Sequence, residues 1–131
     1  MNAGIELHDS TLASVTSADG TVVILLSPAY VHHSEGRPGT DAGSGWLQDA
    51  TFTIREAGEI PSPAELPLEI ADGFLRIGES IHDNLLPAGG RFEGAIELSL
   101  TLTNSETVVF RGTSIEIRMQ GDAKWLESFA P

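Results

Sequence analysis

Between residues 95 and 103 every second side chain is apolar: Ile96, Leu98, Leu100 and Leu102 alternate with Glu97, Ser99, Thr101 and Thr103. Successive side chains of a strand point to opposite faces, so this segment reads as a strand with one buried and one solvated side. The same alternation recurs in residues 114–120, where Ile115, Ile117 and Met119 alternate with Glu116 and Arg118. It recurs again in residues 46–55, with Trp46, Ala50, Phe52 and Ile54 opposite Asp49, Thr51, Thr53 and Arg55. Strands buried on one face only belong to antiparallel sheets. No stretch of a dozen residues carries a 3.6-residue apolar stripe with caps, so little helix is expected.

The turn chemistry agrees. Asp19-Gly20 separates residues 13–18 from 21–26, and Asp72-Gly73 separates residues 66–70 from 74–77. An Asp-Gly pair between apolar runs predicts a two-residue hairpin turn, whose central residues need positive φ. Asn104-Ser105 predicts a third hairpin. The likeness of residues 15–20 to 68–73 raises the question of an internal repeat, although two hairpins with the same turn look alike for that reason alone. Residues 34–45 and 58–67 are rich in Gly and Pro and read as loops, the second with at most a helical turn near Ala64-Glu65. Residues 79–90 read as irregular. Residues 124–129 are a short helix or a last strand, and their aromatic content favours the strand.

Eight to nine short strands on 131 residues predict a single all-β domain, an antiparallel β-sandwich, with a jelly-roll-like or barrel closure as the alternative. Residues 22–26 are apolar without alternation, which suits a central strand covered on both sides or a strand entering a subunit interface. The second case predicts a homodimer.

The chain has no cysteine, which excludes disulfides, thiolate metal sites and cysteine nucleophiles. Seven basic residues against nineteen acidic ones give a net charge of −12. Phosphate backbones and anionic lipids are bound by cations, so neither nucleic acid nor a membrane is an expected partner. A basic protein or a divalent cation is compatible with that charge, as is plain solubility. A start without a basic and apolar leader, and no apolar run of spanning length, make the expected compartment the cytoplasm.

All four histidines lie within three residues of a carboxylate: His8-Asp9, His32-His33 with Glu35, and His82-Asp83. Neutral imidazole with carboxylate is the usual donor set for zinc or manganese where thiolates are missing, and these seven residues form the candidate metal set. Adjacent strand residues face opposite ways, so His32 and His33 are not expected in one site. The glycine-rich residues 36–45 lack a Gly-Lys-Ser/Thr ending and lead into a strand, so they do not form a phosphate cradle. Arg37 and Asp41 in that loop, with Trp46 at its end, form a candidate ligand-binding set, because loops on a rigid scaffold are where binding residues concentrate. The adjacent His32-His33 pair with Glu35 departs from the His-x-His pattern of cupins. Serine beside histidine at Ser10 and Ser34 lacks a Gly-x-Ser-x-Gly elbow. No residue is assigned a catalytic role, and a non-enzymatic domain without a cofactor is the leading expectation.

The run Glu6-Leu7-His8-Asp9-Ser10-Thr11-Leu12 resembles the E-L-H-D-S-x-L opening of small bacterial all-β domains, some of which look like immunity proteins that neutralise toxins. The ending Gly121-Asp122-Ala123-Lys124-Trp125-Leu126-Glu127-Ser128-Phe129 is similar to theirs as well. The resemblance implies a compact bacterial interaction module and carries over no catalytic residue. The alternative function is a domain binding a divalent metal or a small ligand through its His, Asp and Glu clusters.

Overall fold

The structure, a computed structural model, describes residues 1–130. It is all-β, with nine strands: β1 (Asn2–Glu6), β2 (Thr11–Ala18), β3 (Thr21–Ser34), β4 (Gly43–Arg55), β5 (Leu68–Ile77), β6 (Ser80–Asp83), β7 (Leu85–Pro87), β8 (Gly90–Leu102) and β9 (Thr107–Phe129). No helix among the described residues is long and apolar enough to cross a membrane. Every strand pairing is antiparallel, in the order β2-β5-β8-β9-β4-β3-β1-β7, with β6 on β5. A further pairing of β2 with β3 closes six of these strands into a ring.

The strands are not uniformly short. β3, β4, β8 and β9 run for 14, 13, 13 and 23 residues. All four pass through register irregularities. On β3 the register slips between Leu26 and Ala29, around Ser27-Pro28, where proline has no N–H to give a ladder. The part of β3 before this point pairs with β2 and the part after it with β1, along the same edge. The Ser27 hydroxyl donates to Asp49 at 2.8 Å across the irregularity. β9 slips against β4 at the corresponding level, between Leu47 and Asp49. Beyond it the sheet continues as β9-β4-β3-β1-β7.

The alternating residues build the core. Ile96, Leu98, Leu100, Leu102, Ile115 and Ile117 are buried together with Ala50, Phe52 and Ile54. Residues 22–26 resolve into the same alternation: Val22, Ile24 and Leu26 are fully buried, while Val23 and Leu25 are half-buried on the outer side. The run belongs to a central strand, flanked by β2 and β4.

Asp19-Gly20 makes the expected hairpin turn, with φ of 52° and 76° between the paired Ala18 and Thr21. Asn104-Ser105 turns β8 into β9, with Ser105 at φ 72°. Asp72-Gly73 does not turn the chain. It lies inside β5, at a bulge between Ile70 and Asp72 opposite Leu102 and Thr101. A Cβ on Gly73 would fall 2.8 Å from Leu7 Cδ1 and 2.6 Å from the Ser99 carbonyl, so glycine here admits a close approach and makes no turn. The likeness of residues 15–20 to 68–73 therefore unites a turn with a bulge. Residues 79–90 are not irregular either, since they hold β6, β7 and the start of β8. The loop at 34–45 narrows to residues 35–42, and residues 58–67 form a loop without a helical turn. Residues 124–129 are strand, but Trp125 is 59% exposed and lies outside the core.

Candidate functional site

The chain leaves β1 through Leu7-His8-Asp9-Ser10, and this turn is held at several points. Ser10 is buried; its hydroxyl donates to the Glu6 carbonyl at 2.6 Å and accepts the Tyr30 N–H at 2.9 Å. The backbone N–H of His8 donates to the Asn84 side-chain oxygen at 2.8 Å. Asp9 takes φ 76°, a left-handed conformation that aspartate tolerates better than most residues. Leu7 turns into the core, which leaves Glu6 and His8 on the outer side.

On that outer side β1 faces β3 in the register Glu6 to Tyr30 and Gly4 to His32. Glu6 Oε1 meets His32 Nε2 at 3.1 Å. The phenol of Tyr30 crosses β4 above Gly45 and donates to Glu127 Oε2 on β9 at 2.9 Å. A Cβ on Gly45 would overlap the Tyr30 hydroxyl, so glycine at this position is a condition of the contact. The His32 ring packs edge-on to Tyr30, 5.0 Å between centroids, and against Phe129 at 5.5 Å. Tyr30 and His32 are both buried, whereas the His8 and Asp9 side chains are 55% and 56% exposed.

Carboxylates gather around the Tyr30 phenol. Burial raises the pKa of the Tyr30 phenol above its ordinary value, reinforced by the hydrogen bond to Glu127 and by the charges of Glu127, Glu6 and Asp9. Glu6, His8 and Asp9 each present one ligand atom, all within 4.8 Å of one another. Two carboxylate oxygens and an imidazole nitrogen suit zinc or manganese, and His32 behind Glu6 stands where an orienting partner would stand.

The seven candidate metal residues are therefore divided. His8 and Asp9 come together, and His32 joins them through Glu6. His33 faces the other way: its ring stacks on Trp46 at 5.1 Å, its Nδ1 is buried without a partner among the described residues, and burial lowers its pKa. Glu35 is 89% exposed and lies 4.0 Å from the N-terminal ammonium of Met1. His82 and Asp83 sit on β6 opposite Leu75 and Phe74, and neither belongs to the Glu6 group.

Of the candidate ligand-binding residues, Arg37 and Asp41 share one turn, where the Arg37 N–H donates to the Asp41 carboxylate at 2.7 Å. Both are exposed. Trp46 is opposite Val31 on β3, packs against the core, and donates its indole N–H to Ser44 Oγ at 2.8 Å. It stacks on His33 and is not joined to the Arg37 turn by any hydrogen bond among the described residues. A separate cleft of about 320 Å³ opens where the strands slip, lined by Pro28, Leu47, Asp49, Gln120, Asp122 and Lys124 among others.

Three members of the site lie outside the residues singled out from sequence: Glu6, Tyr30 and Glu127. Glu6 precedes His8 by two positions, the spacing that places two strand residues on one face. Tyr30 and Glu127 are 97 positions apart, and only the strand order brings them together. Compared with protein-family models, curated proteins and solved structures, the chain matches none.

Proposed function

We propose that this chain is a non-enzymatic, cytoplasmic interaction module that binds a basic protein through the outer face formed by β1, β3 and the end of β9. The observation that carries the reading is the gathering of Glu6, Asp9 and Glu127 around Tyr30, on a chain whose net charge is already −12. Such a face attracts a cationic surface at long range, and the rigid strands beneath it hold its carboxylates in place. An immunity-type role, implied by the E-L-H-D-S resemblance, is one form of this binding. The test is affinity capture on the immobilised chain, beside a Glu6→Gln, Asp9→Asn, Glu127→Gln variant, at low and high salt. Basic proteins held by the native chain, and lost with the variant and with salt, support the reading. Capture indifferent to both overturns it.

A second reading is favoured by the convergence of Glu6, His8 and Asp9 within 4.8 Å: a site for a divalent cation such as zinc or manganese. A cation that binds only the folded chain raises its stability by about 2.7 kcal/mol at a hundredfold excess over Kd. Elemental analysis of untagged protein, with melts in chelator and in each metal, tests this. A metal-dependent rise in Tm that His8→Ala removes supports it, and unchanged melts dismiss it.

A further inference from the structure

β8 accompanies β9 only as far as the pairing of Gly90 with Ile117. From residue 118 to 129, β4 is the one strand alongside β9 among the described residues. The opposite edge of this segment presents backbone N–H and C=O groups that no strand pairs, a template for another strand. At its middle stand Trp125, 59% exposed, and Leu126, 45% exposed. Large exposed apolar side chains side by side on an open edge are the signature of a surface that is covered on association.

We propose that this edge pairs with the same edge of a second copy of the chain, antiparallel across a two-fold axis, with Trp125 and Leu126 of both copies at the axis. The charges select the partner and the register. Gly45 is paired with Glu127 and Leu47 with Lys124, so two steps along β4 correspond to three along β9. The extra residue restores Lys124 and Glu127 to one face of the sheet, the face that carries Tyr30. Directly opposed residues of an antiparallel pair share a face, and a two-fold axis normal to the sheet keeps the faces of the two copies continuous. Three registers then oppose these charged residues. One sets Lys124 against its own copy and one sets Glu127 against its own copy, each with like charges in contact. The third sets Lys124 of each copy against Glu127 of the other, forming two ion pairs.

Lys124 is the only lysine of the chain and enters no ion pair among the described residues. Glu127 gives one oxygen to Tyr30 and keeps the other for a partner. A two-fold contact uses up the edge on both copies, so association stops at two and does not grow into a fibre.

The experiment is sedimentation velocity on the full chain over a concentration series into the high micromolar range, beside Lys124→Glu, Glu127→Lys, the double exchange, Trp125→Ser, and Arg55→Glu at the exposed far end of β4. The native chain is expected to pass from monomer to dimer. Each single charge reversal weakens the dimer about tenfold, the double exchange returns it to within about threefold of native, and Trp125→Ser weakens it by a similar factor. Arg55→Glu changes net charge as Lys124→Glu does and leaves association as it was. Lys124→Glu and Trp125→Ser alter exposed positions, so these arms stand even if Glu127→Lys, which removes the acceptor of Tyr30, unfolds the chain. A monomer throughout the series, whether the edge is idle or kept for another protein's strand, overturns the proposal. So does an effect of Arg55→Glu equal to that of Lys124→Glu.

Discussion

Tyr30 donates its phenolic proton to Glu127 across an intervening strand, and it reaches that far because β4 places Gly45 beneath the ring. The contact joins β3 to β9 on the outer side of the sheet, independently of the ladder that joins each to β4. Two strands that are not neighbours are thereby fastened over the head of the one between them.

Gly45→Ala removes the space the phenol occupies. The ring must swing out, losing its hydrogen bond and its packing against His32, and a loss of about 2 kcal/mol is expected. Urea denaturation of Gly45→Ala beside Tyr30→Phe checks it. Tyr30→Phe keeps the ring in place and is expected to cost only about 1 kcal/mol.

Tyr30 is the only tyrosine, so the tyrosinate absorbance of the chain reports it alone. Its titration in the folded protein is expected to lie above pH 10, and Glu127→Gln should bring it down by removing a nearby negative charge. The unfolded chain loses this proton first as pH rises. The stability linked to Tyr30 is thus fully present below about pH 10 and is lost as pH climbs from there toward the folded value. Tyr30→Phe should abolish that component of alkaline unfolding.

His33 titrates with the opposite sense. Burial holds its folded pKa below 6.5, so the unfolded chain binds the proton first as pH falls. The stability linked to His33 is present above about pH 6.5 and declines as pH drops through the folded value. His33→Phe retains an aromatic ring against Trp46 and removes the buried, unpartnered Nδ1. Melts from pH 7.5 to 5 are expected to fall less steeply for the variant than for the native chain.

The two Asp-Gly pairs respond unequally to alanine. Gly20→Ala meets no neighbouring atom and suffers only from φ 76°, a cost of about 1 kcal/mol. Gly73→Ala drives a methyl group into Leu7 and the Ser99 carbonyl, and about 3 kcal/mol is expected. Chemical denaturation of the two variants separates a turn glycine from a packing glycine.

That contrast also marks how far the sequence is legible. The alternation of Ile96 with Glu97, or of Phe52 with Thr53, declares the strand and its buried face, because period two has one physical meaning. Asp72-Gly73 misleads because a glycine suits a turn and a close packing contact equally well, and Leu7, 66 residues away, decides between them. The same limit applies to the site. His8 and Asp9 are visible as a pair of neighbours, and Glu6 by its spacing of two. Tyr30 and Glu127 carry no local mark, since their meeting depends on the order β3-β4-β9 and on one glycine. Trp125 helps mark residues 124–129 as strand, but nothing local shows that the end of β8 leaves that edge bare.

The ring of six strands is closed very unevenly. β4 is laddered to β9 from Gly43 to Arg55, whereas β2 meets β5 only at Thr11 with Glu69 and Leu12 with Leu68. A cylinder sewn so lightly along one line is, mechanically, a folded sheet with a seam. Opening that parts those two residue pairs and the Ile70–Ser10 backbone bond leaves every longer ladder intact, so breathing is expected to concentrate along this line and to reach Leu12 before the interior around Phe52 and Phe110. The seam starts at Ser10 itself, whose carbonyl accepts the Ile70 N–H at 2.8 Å while its hydroxyl hydrogen-bonds both Glu6 and Tyr30. The acidic face and this seam thus share a single anchoring residue, one through its hydroxyl and the other through its carbonyl.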